Sequence, residues 1–163
     1  MRIDRLRQLS DEFLECARRR LNTAAATKLE GELRRATSDL YFSLFHAVCG
    51  AVVQPIGTDS ETPGFRDVFL TLYRMTDHGR LEKHARDAAA KESGFSDVFK
   101  QFSRQISAMK NKREQADYDP LAQLNLSTVG SDLQSIETIM DRFWAEEPST
   151  RARFAMFLSI ERQ

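Results

Sequence analysis

The chain has 163 residues, of which 41% are apolar, 29% charged and 9% aromatic. This supply of apolar side chains predicts one hydrophobic core and therefore a single domain over residues 1–163. The 24 basic residues balance the 24 acidic ones. The balance excludes a strongly charged nucleic-acid coat protein, and the composition excludes a disordered tail protein.

The sequence gives no sign of a membrane segment, a disulfide framework or a metal site. No stretch approaches the roughly 20 uncharged apolar residues of a membrane span, and the first residues carry charges where a signal peptide needs an apolar run. We therefore expect a cytoplasmic protein. Cys16 and Cys49 are far apart and form no C-x-x-C pair, so neither a zinc site nor a disulfide framework is predicted.

Helical periodicity covers almost the whole chain. Apolar residues recur three or four apart before residue 30, which predicts one amphipathic helix. The next helix, from about Leu33 to Gln54, is apolar on several sides and is expected to be central. It should end before Pro55, and residues 56–64 read as a loop.

The rest of the chain predicts further helices. They cover residues 65–90, with a break near Gly79, a segment from residue 95 to at least residue 112, a segment around residues 133–144, and a short tail at 151–160. Ser131 and Gln134 have the spacing of a capping box for the segment around 133–144, and the alternative is a start one turn earlier. Alternating patterns typical of strands are nearly absent. We expect an all-α protein, an up-and-down antiparallel bundle of five to six helices.

The common catalytic motifs are missing. The sequence has no Gly-rich phosphate loop, no H-E-x-x-H, no G-x-S-x-G and no pair of His or Cys at metal-ligand spacing on one helix face. No cofactor and no metal are expected.

One helix carries an unusual set of cations. Between Val98 and Arg113 there is no acidic residue, and the segment contains five basic ones: Lys100, Arg104, Lys110, Lys112 and Arg113. A projection at 100° per residue places Arg113 on the apolar face. A guanidinium there needs a carboxylate partner or a cleft in which a phosphate binds. The alternative is an arginine at a helix end that extends to water.

Two other groups are candidate site residues. Asp117 and Tyr118 follow the basic strip; Asp117 could accept structural hydrogen bonds, and Tyr118 could pack its ring on the bundle. Asp39, Ser43 and His46 share one stripe of the second helix. They do not form a nucleophilic triad, because triad side chains converge from different elements. The stripe faces water or a second subunit, or Asp39 and His46 line a cleft with Arg113.

Two segments resemble motifs of the prokaryotic HEPN-domain family. Residues 34–48, RRATSDLYFSLFHAV, are similar to its "R-A-x-x-A-x-Y-Y-A-M-F-H-A" helix. Residues 112–118, KREQADY, resemble the "R-x-x-A-D-Y" element at the end of a later helix. The resemblance implies a HEPN-like helical bundle, commonly a homodimer, in a family that includes metal-independent ribonucleases. Members are often toxins or defence factors, and some pair with a nucleotidyltransferase-type partner protein.

The sequence departs from the ribonuclease pattern of that family. Active members have a histidine four to six residues after the arginine, and no histidine follows Arg113 at that distance. The three histidines are His46, on the second helix, His78, in an expected turn, and His84, on an expected surface. Whether the protein is an enzyme is therefore left open.

Three functions are compatible with these residues. The first is binding of a nucleotide or RNA phosphate at a cleft edged by Arg113, Asp117 and Tyr118, with Arg104 and Lys110 adding charge and His46 and Asp39 nearby. The second is a metal-independent ribonuclease toxin that uses Arg113 with His46 or His84. The third is a non-catalytic dimeric interaction module.

Overall fold

The computed structural model describes residues 4–56 and 63–161. In this part of the chain there are seven α-helices, two short 3₁₀ turns and no strand. The helices are α1 (Asp4–Thr27), α2 (Glu30–Val53), α3 (Phe65–Met75), α4 (His78–Ala89), α5 (Asp97–Tyr118), α6 (Leu126–Ala145) and α7 (Pro148–Ser159). The expected all-α helical bundle is confirmed, although seven helices replace the predicted five or six.

The predicted break near Gly79 is confirmed, and one other helix boundary differs from the prediction. The break lies at Thr76 and Asp77, between α3 and α4. The Asp77 carboxylate accepts hydrogen bonds from the backbone N–H groups of Gly79 (3.0 Å) and Arg80 (2.9 Å) and so caps α4. The helix expected around residues 133–144 begins at Leu126. Its cap is the Asn125 side chain, not Ser131. Most of the predicted loop at 56–64 lies outside the described residues.

Four long helices, α1, α2, α5 and α6, form the frame of the bundle. Contacts between neighbours pair a residue early in one helix with a residue late in the next, so adjacent helices run antiparallel. The pairs are Ser10 with Ser43 and Arg20 with Asp39 (α1 and α2), Arg34 with Ala116 and Ser38 with Asp117 (α2 and α5), Gln101 with Arg142 and Lys112 with Asp132 (α5 and α6), and Arg7 with Trp144 (α1 and α6). The shorter α3, α4 and α7 cover this frame: α3 and α7 pack on α2, and α4 packs on α5 and α7.

The central position predicted for α2 is confirmed. Its buried residues run from Leu33 to Val53, and it contacts α1, α3, α5, α6 and α7. By length and mean hydropathy the stretch Glu30–Ile56 could cross a membrane, but 89% of its apolar window is buried by the other helices. Its apolar side chains therefore form the core of the bundle. Each fully buried Leu or Phe there contributes roughly 1.5–3 kcal/mol.

Candidate functional site

Arg113 lies on the inner face of α5, as its position in the helix predicts. Its side chain is only 12% exposed. The guanidinium carbon lies 5.3 Å from the ring centroid of Tyr41 and 5.6 Å from that of Phe42, both in α2, and 5.9 Å from that of Tyr118. At these distances the ring faces attract the cation. The alternative in which this arginine extends to water is wrong, because aromatic rings cover it.

The hydrogen-bonding capacity of Arg113 is almost unused. The nearest carboxylate is that of Asp117, whose Oδ2 atom is 3.8 Å from Nη1, beyond hydrogen-bond distance. The Nε atom is buried without a partner. Asp117 is itself held by Ser38, whose hydroxyl donates to Oδ1 at 2.5 Å. Among the described residues Arg113 donates no hydrogen bond, a costly arrangement for a buried cation.

His78, which the sequence predicts in a turn and without a functional role, contacts the side chains around Arg113. We call these side chains the Arg113 cluster: Arg113, Tyr41, Phe42, Asp117, Tyr118 and His78. The Nδ1 atom of His78 lies 2.6 Å from the Tyr41 hydroxyl, and its ring stacks on Phe45 with centroids 4.2 Å apart. His78 is the first residue of α4, where the Asp77 cap fixes it. Arg113 and His78 thus both contact Tyr41. The signal in the sequence was Asp77, a preferred helix-capping residue directly before His78.

Burial keeps two groups beside Arg113, the His78 imidazole and the Tyr41 hydroxyl, uncharged at neutral pH by shifting the pKa of each. Burial, and after it the charge of Arg113, lowers the pKa of His78 below its usual 6.5. Burial raises the pKa of the Tyr41 hydroxyl well above 10, although the charge of Arg113 acts in the opposite direction. A neutral imidazole and a neutral phenol therefore share one hydrogen bond, and the imidazole tautomer decides which of them donates.

The cations that precede Arg113 do not form one basic surface with it. Lys110 pairs with Glu114 at 2.7 Å and with Glu82 at 3.1 Å. Lys112 reaches α6, where its Nζ atom lies 2.6 Å from Asp132 Oδ1. The predicted strip is therefore divided between different neighbours, and these two lysines are neutralised by carboxylates. Lys110 lies close enough to act on the pKa of His78, so it borders the cluster.

Arg104 lies on a different face of α5 from Arg113. Nine residues separate them, which is about half a turn beyond two full turns of an α-helix. Its Nη2 atom is 3.5 Å from the carbonyl oxygen of Ala89, in α4. Arg104 therefore does not join the other predicted site residues.

The stripe of Asp39, Ser43 and His46 faces α1. Arg20 binds Asp39 at 2.8 Å, and Phe13 stacks on His46 with centroids 5.1 Å apart. The Ser43 hydroxyl is buried and donates to a carbonyl of its own helix. The expectation that this stripe faces water or a second subunit is wrong, because α1 covers it. Asp39 is held by the Arg20 ion pair, on the α1 side of α2.

The other two histidines have structural surroundings. The Nδ1 atom of His46 lies 2.8 Å from the Phe42 carbonyl oxygen, and burial lowers the pKa of the imidazole. His84, expected on the surface, is only 4% exposed, and its Nδ1 atom lies 3.2 Å from the carbonyl oxygen of Leu158 in α7. The surface assignment of His84 is therefore wrong.

Searches for similar proteins add nothing to this geometry. Neither the models of known protein families, nor curated protein sequences, nor solved structures gave a match to the chain. Within residues 4–56 and 63–161, no group of three or more His, Cys, Asp or Glu is arranged to hold a metal ion. The functional conclusion therefore depends on the cluster around Arg113.

Proposed function

We propose that this protein is a HEPN-like helical bundle that binds a phosphate group of a nucleotide or of RNA at Arg113. The observation that carries the proposal is the state of the guanidinium, which is 12% exposed and lacks hydrogen-bond acceptors among the described residues. Phosphate oxygens match the fork of N–H donors on a guanidinium and can be bound by two of them at once. A bound phosphate therefore satisfies donors that the protein leaves open.

Contact between the two HEPN-resembling segments supports the family assignment within this proposal. Residues 34–48 lie in α2 and residues 112–118 in α5, and the two segments pack against each other. Arg34, at the start of the first, donates to the carbonyl oxygens of Ala116 (2.9 Å) and Asp119 (2.8 Å). Ser38 and Tyr41 on the same helix meet Asp117 and Arg113. Residues of both motifs thus contact one another around Arg113.

Tyr118 adds a surface for a nucleobase. It is 74% exposed, and its ring lies beside the guanidinium of Arg113. An exposed ring next to a phosphate site can stack a base, and stacking contributes about 1–3 kcal/mol per base. This arrangement favours a nucleotide over inorganic phosphate.

The proposal is tested by titrating the protein with UMP and AMP at low salt. Hydrogen bonds to charged groups contribute about 1.5–3 kcal/mol, so Arg113→Gln should weaken binding by about tenfold or more. Tyr118→Ala should weaken it too, with AMP affected more than inorganic phosphate. Arg74→Gln, the same charge change at an exposed position of α3, is the matched control and should bind as the wild type does. Equal affinities of wild type and Arg113→Gln would reject the proposal.

The position of His78 favours a second candidate function, that of a metal-independent ribonuclease. RNA cleavage without a metal needs a group that can take the proton of the 2′-hydroxyl. When Tyr41 accepts a hydrogen bond from Nδ1–H of His78, the Nε2 lone pair of the neutral imidazole is free for this role. Arg113 would bind the phosphate under attack. The 2′-oxygen would bond to the phosphorus atom, the bond from phosphorus to the 5′-oxygen would break, and the 5′-oxygen would leave with a proton taken from water. In this version neither His46 nor His84 is the base.

Cleavage of RNA in the presence of a chelator distinguishes this candidate from simple binding. If the protein is a ribonuclease, wild type should cleave and His78→Asn should lose most of the activity while still binding UMP. His84→Asn is the matched control, because His84 lies on the same helix as His78 but packs against α7. RNA left intact by the wild type would eliminate the ribonuclease and leave the binding proposal standing.

A further inference from the structure

Two grooves flank α5 on the side that Arg104 occupies. One lies between α5 and α6 and has a volume of about 450 Å³. The other lies between α4 and α5 and has a volume of about 430 Å³. Arg104 lines both, so its guanidinium lies where the two grooves meet. Because Arg104 and Arg113 project from opposite sides of α5, this surface is separate from the cluster described above.

The described residues that line these grooves carry positive charge, and two of the three arginines among them are not paired with a carboxylate. Arg142 on α6 lines the first groove, and Arg86 on α4 lines the second. Within residues 4–56 and 63–161, no acidic residue lines either groove. Among the described residues, neither Arg104 nor Arg142 forms an ion pair; Arg142 donates only to the side-chain oxygen of Gln101, at 2.6 Å. Arg86 is paired with Glu82 at 3.2 Å. Two guanidinium groups are thus available to an anion.

The groove between α1 and α6 differs from these two grooves in the charges that line it. It contains two arginines as well, but four carboxylates line it with them: Asp11, Glu15, Glu137 and Asp141. On a chain whose basic and acidic residues balance, the absence of carboxylates around Arg104 is a local property.

Beside the arginines, the lining combines neutral hydrogen-bonding groups with small apolar side chains, including four alanines in the α4–α5 groove. The α5–α6 groove has three glutamines and two hydroxyl residues beside its arginines and Ile139. Ser103, which lines the α4–α5 groove, is fully buried, and its hydroxyl has no hydrogen-bond partner. None of the described residues that line the grooves is aromatic, so none of them can stack a base. The lining therefore suits phosphate oxygens and sugar hydroxyls rather than nucleobases.

We infer that these two grooves form a second phosphate-binding surface, which takes the sugar-phosphate backbone of a single-stranded polynucleotide without reading its sequence. Arg104 and Arg142 contact phosphates, and the strand crosses α5 from one groove to the other. A chain with repeated charges matches guanidinium groups placed on successive helices better than a single phosphate does. This surface acts independently of Arg113.

Salt dependence provides the test. For single strands, the slope of log affinity against log salt changes by about 0.7 for each phosphate contact. We propose to measure binding of a fluorescein-labelled oligouridine over a range of salt concentrations, in the Arg113→Gln background so that the first site does not contribute. Adding Arg104→Gln and Arg142→Gln together should make the slope shallower by about 1.4. Arg74→Gln in the same background is the control and should leave the slope unchanged.

Two results would overturn the inference. One is an unchanged slope in the variant that lacks both Arg104 and Arg142, with the fold intact by circular dichroism. The other is displacement of the oligouridine by inorganic phosphate at equal phosphate concentration, which would indicate a site for single phosphates. An oligouridine slope that still depends on Arg104 would support this surface, both when Arg113→Gln loses UMP binding and when it leaves UMP binding unchanged, so the two proposals can fail separately.

Discussion

Arg113 and Arg151 are both buried arginines whose Nε atom has no partner among the described residues, but the protein treats the terminal nitrogens of the two guanidinium groups in opposite ways. Arg151 is 4% exposed, and it donates to the carbonyl oxygens of Trp144 and Glu146, each at 2.8 Å, and to Gln54 Oε1 at 2.9 Å. Those carbonyls end α6, so the cation also meets the negative end of the helix dipole. Arg113 has ring faces around it and no acceptor within hydrogen-bond distance among the described residues.

This difference separates a structural cation from one that is available to a ligand. Every acceptor of Arg151 belongs to the protein, and its position in the first turn of α7 locks α7 to the end of α6. Arg113 bears the cost of burial without the hydrogen bonds that normally offset it. Such a cost is expected where a group is kept ready for a ligand. Substitution of Arg151 should therefore lower mainly the stability of the fold, and substitution of Arg113 should weaken mainly the binding of a ligand.

The largest expected effect is on stability, from Arg151→Ala. The change leaves two terminal carbonyls of α6 and the Gln54 side chain without their donor, which should cost about 4 kcal/mol of unfolding free energy. For a chain of this size that corresponds to a fall in Tm of about 10 °C. Thermal and urea unfolding measure it. Arg153→Ala, two residues further along α7 and exposed, is the control and should change stability by less than about 0.5 kcal/mol. A comparable loss in both variants would contradict the role assigned to Arg151.

Much of the fold could be predicted from periodicity. The central role of α2, its end before Pro55 and the inward projection of Arg113 all follow from where apolar residues recur on a helix. These features depend on local spacing alone, which the sequence displays directly.

The contacts of the site could not be predicted in the same way. That His78 reaches Tyr41 depends on the position of the α3–α4 break and on how α4 packs on α5, and both are set by tertiary contacts. The same holds for the division of Lys110 and Lys112 between Glu82 and Asp132. Helix spacing gives the direction of a side chain and leaves its partner unspecified.

The next effect concerns pH and the histidines around the Arg113 cluster. Burial lowers the pKa of His78 and of His46 below 6.5 in the folded state. Below about pH 6.5 the unfolded chain therefore binds more protons than the folded one. The free energy of unfolding should be highest above that pH, with respect to these two histidines, and should fall as the pH decreases. Each histidine should contribute a loss of up to about 2 kcal/mol between pH 7 and pH 5.

Urea unfolding of wild type and His78→Gln at pH 7 and pH 5 separates this contribution. The variant should lose less stability on acidification than the wild type. An equal loss in the two proteins would mean that His78 is protonated as readily in the folded state as in the unfolded one, and that the Arg113 cluster does not oppose its charge.

A smaller effect is expected on binding from Asp117→Asn. The carboxylate of Asp117 lies 3.8 Å from the guanidinium and competes with an incoming phosphate. Its removal should be worth at least about 1 kcal/mol, or about fivefold tighter binding of UMP. The asparagine oxygen can still accept the hydrogen bond from Ser38, so the local structure should persist. Weaker binding in Asp117→Asn would instead show that this carboxylate positions Arg113 for its ligand.

The smallest expected effect is on stability, from Arg113→Met. Methionine fills a similar space between the rings of Tyr41 and Phe42 and removes a buried charge that has no acceptor. Replacing a buried charge with an apolar side chain of similar volume is often neutral or stabilising, so the unfolding free energy should fall by no more than about 1 kcal/mol and could rise. UMP binding should nevertheless be lost, because no other side chain of the Arg113 cluster has two parallel N–H donors that can bind two phosphate oxygens at once. A loss of stability as large as that of Arg151→Ala would mean that Arg113 holds α5 to α2 as Arg151 holds α7 to α6, and the distinction between the two cations would fail.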